Sequence, residues 1–193
     1  ILIDLEKSKK ELQGGLSSSG KRYISKWRKN SLVFEQATNQ VDWEMFRDVW
    51  YSMAFDKWFS IVPKEQFLDL MSYLTETNQW VLMTAYLGWD IVSWMVCVKT
   101  WKQLVYLYGA TNRAFWNIGA QYWLTWEVIQ RAKTEWFTSF DLLGVAPTGV
   151  ENHSLDGVTR YKQAFGGKTI DYVGNYDLIL SSPLYTAWKL LKW

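Results

Sequence analysis

The sequence predicts an α+β fold with a mixed central sheet flanked by helices. Three observations carry this. Apolar runs rich in β-branched and aromatic residues at 80–87, 91–99 and 102–109 are joined by Gly88-Trp89-Asp90 and Thr100-Trp101, connections short enough only for an antiparallel meander. Segments with 3.6-residue apolar periodicity stand on both sides of that meander. A chain of 193 residues is the size of one domain with a sizeable core.

Taken in order, residues 1–5 (Ile1-Leu2-Ile3-Asp4-Leu5) read as a strand already under way, which suggests a fragment whose N-terminal part is missing. Residues 8–16 look helical and meet Gly14-Gly15. The arm at 21–29 carries five cations, Lys21, Arg22, Lys26, Arg28 and Lys29, on a predicted helix. It is either a solvated face or a phosphate-contacting surface. Residues 32–35 fit a strand. Asp42 can cap a helix to about 56, with Trp43, Phe46, Val49, Trp50 and Met53 on one stripe. Pro63 suits the first turn of the next helix, whose face is Phe67, Leu70, Met71 and Leu74. After the meander a long helix is predicted over 114–135, carrying Ile118, Tyr122, Trp126, Ile129 and Ala132, followed by a strand at 137–143. A helix at 155–165, strands at 169–173 and 176–180, and a terminal helix begun by Pro183 with Leu184, Trp188 and Leu191 on one stripe complete the chain.

Composition excludes several function classes. A net charge of +2 does not mark a nucleic-acid or membrane binder by itself. No apolar run is long enough for a transmembrane helix, and no signal peptide is evident. The single cysteine, Cys97, lies in an apolar run and reads as a buried thiol, which fits a reducing compartment. There is no zinc-ligand spacing, no Walker loop and no Gly-x-Ser-x-Gly elbow, so no metal and no serine triad are expected. The only histidine, His153, sits in the polar loop Glu151-Asn152-His153-Ser154 and is a poor candidate for a catalytic base.

The stretch from Asp141 to Asp177 holds six of the twelve glycines, and its centre is Arg160-Tyr161-Lys162-Gln163-Ala164-Phe165-Gly166-Gly167. The glycine pair reads as a helix stop and tight turn rather than a phosphate cradle. With Ile1-Leu2-Ile3-Asp4-Leu5, Lys21-Arg22-Tyr23-Ile24, Tyr106-Leu107-Tyr108-Gly109-Ala110, Trp126-Glu127-Val128-Ile129, Phe140-Asp141 and Tyr172-Val173-Gly174-Asn175-Tyr176-Asp177-Leu178, in that order and spacing, it resembles the Fem (FemA/FemB/FemX) peptidyltransferases of peptidoglycan interpeptide-bridge synthesis.

The resemblance implies a GNAT-like acyltransferase fold over 1–193, as the C-terminal half of a two-domain protein whose first domain is missing. It implies a bacterial, cytoplasmic enzyme, able to touch the inner membrane face, that moves an amino acid from aminoacyl-tRNA to the stem peptide of lipid II or its soluble UDP-MurNAc-pentapeptide precursor. No cofactor is expected, and acetyl-CoA is not the expected donor. The fragment alone need not be active. Lys162 matches the family lysine proposed to stabilise the oxyanion or hold the tRNA acceptor end; the bland alternative is an exposed helix lysine. Tyr161 replaces the usual phenylalanine and keeps a stacking surface. Tyr108 matches a position that contacts the acceptor precursor, and is otherwise a sheet-packing aromatic. Arg160 and the pair Lys21 and Arg22 are candidates for phosphate. Asp141 either orients the attacking amine or caps a turn.

The sequence departs from the family at Val62 and Gln66, where acceptor-binding arginine and tyrosines are common, and Phe140 is only a near match. Two other readings remain open. One is an N-acyltransferase using acyl-CoA or an acyl carrier, though Asn112-Arg113-Ala114-Phe115-Trp116-Asn117 lacks the glycine-rich pyrophosphate turn it would want. The other is a non-catalytic module binding tRNA or glycan.

Tryptophan occurs 14 times, more often than glycine at 12. Trp101 in a hairpin turn and Trp136 at a helix end occupy positions where left-handed backbone favours glycine. The family resemblance points to glycine near Trp58, Trp94, Trp101 and Trp136, and Trp89 follows Gly88 in a second hairpin loop. Either part of this set records UGA codons that the source decodes as glycine, or the surface is unusually rich in indoles for lipid or sugar stacking.

Overall fold

The computed structural model describes residues 1–27, 32–36, 40–57, 62–174 and 176–191. Arg28, Lys29, Trp58 and the stretch Ser60-Ile61 lie outside the described residues. The elements run β1 (Leu2–Asp4), α1 (Lys9–Gly15), α2 (Ser18–Trp27), β2 (Leu32–Gln36), α3 (Gln40–Lys57), α4 (Lys64–Glu76), β3 (Trp80–Leu87), β4 (Asp90–Thr100), β5 (Gln103–Thr111), α5 (Ala120–Thr134), β6 (Ser139–Asp141), α6 (Asp156–Gln163) and α7 (Ser182–Leu191). The sheet order is β1-β6-β5-β4-β3-β2. Every pairing is antiparallel except β5 with β6, so the sheet is mixed, as expected.

Strand alternation sends side chains to two cores. Met83, Ala85, Met95 and Cys97 face a cluster that includes Leu12, Ile24, Leu124, Trp126, Ile129, Phe140 and Phe165 from the α1, α2, α5 and α6 side. Leu82, Trp94 and Val96 face Phe46, Trp50, Phe67 and Met71 from α3 and α4. Cys97 is fully buried, and burial pushes its thiol well up, as the sequence implies. Helix α1 starts on a capping box, Ser8 with Glu11, whose hydrogen bonds hold the Glu11 carboxyl below its usual range.

Two expectations fail. The long helix at 114–135 is broken. Asn112 caps a short 3-10 turn (Arg113–Ile118), Gly119 turns at φ 69, and only then does α5 begin. A Cβ on Gly119 would stand 2.7 Å from the Tyr23 ring, so the left-handed turn and the approach of α2 both require glycine. The strand pair at 169–173 and 176–180 is absent among the described residues. Only Lys168 bridges to Leu2. Tyr172, Val173, Tyr176, Leu178 and Leu180 are all exposed, and a hairpin with no buried face to pack is not stable by itself. On α7, Leu184 and Trp188 of the expected stripe are also exposed, and the Trp188 ring stacks on Tyr185 with centroids 5.7 Å apart. Among the described residues no helix is long and apolar enough to cross a membrane.

The Gly166-Gly167 pair lets the chain pass β1. Both residues have positive φ, and a Cβ on Gly167 would stand 2.8 Å from the Leu2 carbonyl oxygen. Lys168 and Leu2 then exchange backbone hydrogen bonds of 2.8 and 2.9 Å. This is the stop and tight turn read from the sequence, and it fixes the C-terminal end of α6 against the sheet edge.

Candidate functional site

The parallel pairing of β5 with β6 covers only Gln103–Val105 against Ser139–Asp141. Beyond it the two chains diverge. On the β6 side, Leu143 takes φ 58, a left-handed conformation unusual for leucine. It is held there because Asp141 Oδ1 accepts from the Leu143 N–H at 2.8 Å and the Leu143 carbonyl accepts from the Ile1 amino group at 3.1 Å. That turn presents the Gly144 carbonyl to the opening. On the β5 side, the register shifts opposite Val96 and Cys97, leaving Leu107 as the extra residue. As a result Tyr106 joins the α5-side core and Tyr108 the α3/α4-side core.

Lys162 reaches into this wedge from the last turn of α6. It is 8% exposed, its Nζ donates to the Gly144 carbonyl at 2.8 Å, and the same nitrogen lies 5.8 Å from the Tyr106 ring centroid. One ammonium thus spans both walls of the opening. Burial pulls its pKa down to about 8, opposed by the attraction of Asp141. At neutral pH it keeps its proton. The unfolded chain holds that proton up to about 10.5, so between about 8 and 10.5 stability rises with pH: the buried charge weakens the fold below that window. A desolvated cation held between two strand ends makes Lys162 a candidate for function.

The Tyr106 ring is held by a buried polar chain. Ser93 Oγ donates to Gln121 Oε1, and Gln121 Nε2 donates to the Tyr106 hydroxyl at 3.1 Å. Tyr161 shares a hydrogen bond with Thr125 and donates to the Gln121 carbonyl at 3.4 Å. Burial raises the pKa of both phenols, so both stay protonated hydrogen-bond donors. Gly109 makes room for this arrangement, because a Cβ there would land on the Tyr106 hydroxyl.

The structure brings Lys162 beside the Tyr106 ring that the Tyr161 network holds, and within the field of Asp141. Tyr161 itself packs inward, 5.0 Å from Tyr122 and 5.4 Å from Phe165, instead of offering a stacking surface. Tyr108 faces the other core, 4.4 Å from Trp50, and is not joined to Lys162. Arg160 is exposed on α6, and Lys21 and Arg22 are exposed on α2. Lys21 Nζ donates to the Gly14 carbonyl at 3.3 Å, and Arg22 lies 5.3 Å from the Tyr23 ring centroid. Arg22 and Arg160 both act electrostatically on the Tyr122 hydroxyl, although burial outweighs them and raises its pKa. Tyr122 stacks on Tyr23 at 4.3 Å, so cations from both ends of the chain meet around one aromatic pair. His153 accepts a hydrogen bond from the Leu155 N–H at 3.1 Å, a turn-forming role just before α6.

Sequence reasoning missed Tyr106, Gln121, Gly144, Tyr23 and Tyr122. Gly109 following Tyr106-Leu107-Tyr108 was the available signal, since a glycine inside a strand marks a close approach. A separate cavity of about 550 Å³, lined by Asp48, Ser52, Met53, Asn112, Arg113 and Trp116 among others, lies between α3 and the 3-10 turn. It touches neither Lys162 nor Tyr106, so the wedge remains the candidate for chemistry. Among the described residues no three His, Cys, Asp or Glu side chains gather as metal ligands.

Residues 82–193 match the model of the FemAB family. The aminoacyltransferase FemA of Staphylococcus aureus is 29% identical over 90 residues, covering 47% of this chain and 21% of that protein. The matched stretch therefore spans about a fifth of the length of the curated relatives. Among solved structures, FemX superposes with a TM-score of 0.82 at 13% identity, over 96% of this chain and 62% of its own. A possible acetyltransferase from Clostridium difficile superposes at 0.59 and 10% identity, over 77% of this chain and 98% of its own. The fold is GNAT-like, and the family match extends from β3 through the Lys162 wedge: the chain belongs to the FemAB family.

Proposed function

We propose that this domain transfers an aminoacyl group from a charged tRNA to an amine on the stem peptide of a peptidoglycan precursor. The observation that carries the reading is the buried Lys162 ammonium between Gly144 and Tyr106, in a chain of the FemAB family. In the reaction the acceptor nitrogen attacks the ester carbonyl carbon. The new C–N bond forms, the bond to the ribose oxygen breaks, and the proton lost by the amine ends on the ribose hydroxyl. Negative charge gathers on the carbonyl oxygen meanwhile, and a fixed cation within reach stabilises it. Lys162 fills that role. Asp141 acts through the Leu143 turn and through its field on Lys162, so it is a positioning residue.

Arg22 and Arg160, with Tyr23 and Tyr122 between them, suit the backbone and terminal bases of a tRNA, where charge and stacking combine. Lys21, one residue earlier on α2, extends that surface. The Tyr108 face and the cavity beside α3 are the candidate acceptor side, whether the precursor is lipid-linked or the soluble UDP-MurNAc-pentapeptide. In this reading the domain works beside a second domain, at the cytoplasmic face of the membrane. The coverage of 62% of FemX supports the second domain.

The test is a transfer assay with the full chain, a radiolabelled aminoacyl-tRNA and a lysine-bearing precursor, run beside acetyl-CoA as donor. Label moving from tRNA to the precursor is the expected result. Transfer from acetyl-CoA alone would replace this reading with an N-acyltransferase, and binding of tRNA without transfer would leave a non-catalytic module.

A further inference from the structure

Two tryptophans stand where the backbone calls for glycine. Trp101 is the first of the two residues joining β4 to β5, with φ 47, while its neighbour Lys102 is not in the left-handed region. A positive φ at the first central residue alone is the pattern of a II′ hairpin turn, whose first central residue is normally glycine. The Trp101 indole is 93% exposed. Trp136 follows the last residues of α5 with φ 66 and is 87% exposed. The Phe137 N–H reaches the Ala132 carbonyl at 3.1 Å and the Trp136 N–H reaches the Lys133 carbonyl at 3.4 Å. That bond pair is a Schellman motif, with Trp136 at the position usually held by glycine.

Among the other described residues, every left-handed position but Leu143 is glycine or asparagine. Helix α4 ends in the same motif, Gln79 to Leu74 at 3.0 Å and Asn78 to Thr75 at 3.1 Å, and there the left-handed residue is Asn78. Asparagine is among the few side chains that accept this backbone. The other described left-handed positions are six glycines, Asn152 and Leu143, and Leu143 is held by Asp141 and Ile1. No described hydrogen bond holds either indole. Other tryptophans behave as the residue should. Trp50 and Trp126 are buried in the two cores, and the buried Trp80 donates its indole N–H to Thr75 at 2.9 Å. Trp94 lies in ordinary extended strand and is buried, so backbone geometry does not place it with Trp101 and Trp136, although its indole N–H has no described partner. Trp89 is fully exposed, but the left-handed residue of its loop is Gly88. Trp58 lies outside the described residues.

We infer that Trp101 and Trp136 are glycine in the protein as its source organism makes it, their codons being UGA rendered here as tryptophan. This inference does not rest on the proposed reaction. It explains together why tryptophan outnumbers glycine, why both residues are exposed, the Trp101 ring meeting its neighbour Lys102 at 5.7 Å, and why both sit on backbone that L side chains avoid.

Three measurements test it. The gene should carry UGA at both positions and UGG at 50, 80 and 126; UGG at 101 and 136 overturns the inference. Peptide sequencing of protein from its native source should read glycine at both, and tryptophan there overturns it. Recombinant chain made as tryptophan should gain stability on the double change Trp101→Gly and Trp136→Gly. Relief of left-handed strain is expected to raise the folded-to-unfolded ratio roughly fivefold or more per site. An unchanged or lowered midpoint of urea unfolding overturns the argument from backbone geometry.

Discussion

Replacing Lys162 with methionine is expected to slow single-turnover aminoacyl transfer by about 10²–10³-fold, the range seen when one donor to a developing oxyanion is removed. It is expected to leave the thermal midpoint unchanged or raised. The two outcomes separate because of where the lysine sits. Its charge is buried and its pKa is depressed to about 8, so the ammonium weakens the fold at neutral pH. Methionine fills similar volume without that penalty and forfeits one hydrogen bond to the Gly144 carbonyl. A purely structural lysine would give the opposite pattern, with stability falling and the rate following only through loss of folded protein.

Gly109→Ala should be damaging for a reason that lies in Tyr106. The added methyl would land on the Tyr106 hydroxyl, and Gln121 Nε2 is only 3.0 Å away. The ring must leave its hydrogen bond to Gln121, and one wall of the Lys162 wedge moves with it. Overpacking of this kind costs about 1–3 kcal/mol of stability. Transfer should fall up to about 10²-fold, because displacing a catalytic group by an ångström costs that much. Urea unfolding and single-turnover rates check the two parts. In a Tyr106→Leu background the same glycine change should lose most of its effect on stability, since the clashing hydroxyl is gone. Equal losses in both backgrounds would show that the two residues are not coupled.

Much of the framework was legible before any coordinates. The meander was, because short connections leave antiparallel neighbours no alternative. The α3, α4 and α5 stripes follow from 3.6-residue spacing, and the Gly166-Gly167 stop follows from glycine chemistry. What misled was pattern without a partner. Residues 169–180 alternate like strands, but strand formation depends on a face to bury, and Tyr172, Val173 and Leu178 find none. The helix expected from 114 is interrupted by Gly119, whose significance comes from the Tyr23 ring above it, an approach from nearly a hundred residues earlier. The wedge was half legible. Lys162 and Asp141 could be named from local motifs. Tyr106, Gln121 and Gly144 meet Lys162 only through the β5–β6 divergence, and local sequence does not encode where a parallel pairing ends. The family resemblance gives Tyr161 a stacking surface in place of phenylalanine, yet its ring packs against Tyr122 and Phe165, since a helix turns successive side chains by about 100° and Tyr161 points into the core.

The central claim is that a protonated Lys162 stabilises the transition state. Its most direct test is the pH dependence of the single-turnover transfer rate on the alkaline side. The rate is predicted to climb about tenfold per pH unit as the acceptor amine loses its proton, then to level off above the lysine's depressed pKa of about 8, where each gain in free amine is offset by loss of the Lys162 proton. A rate that keeps rising through that range, with Lys162 neutralised, would contradict the account.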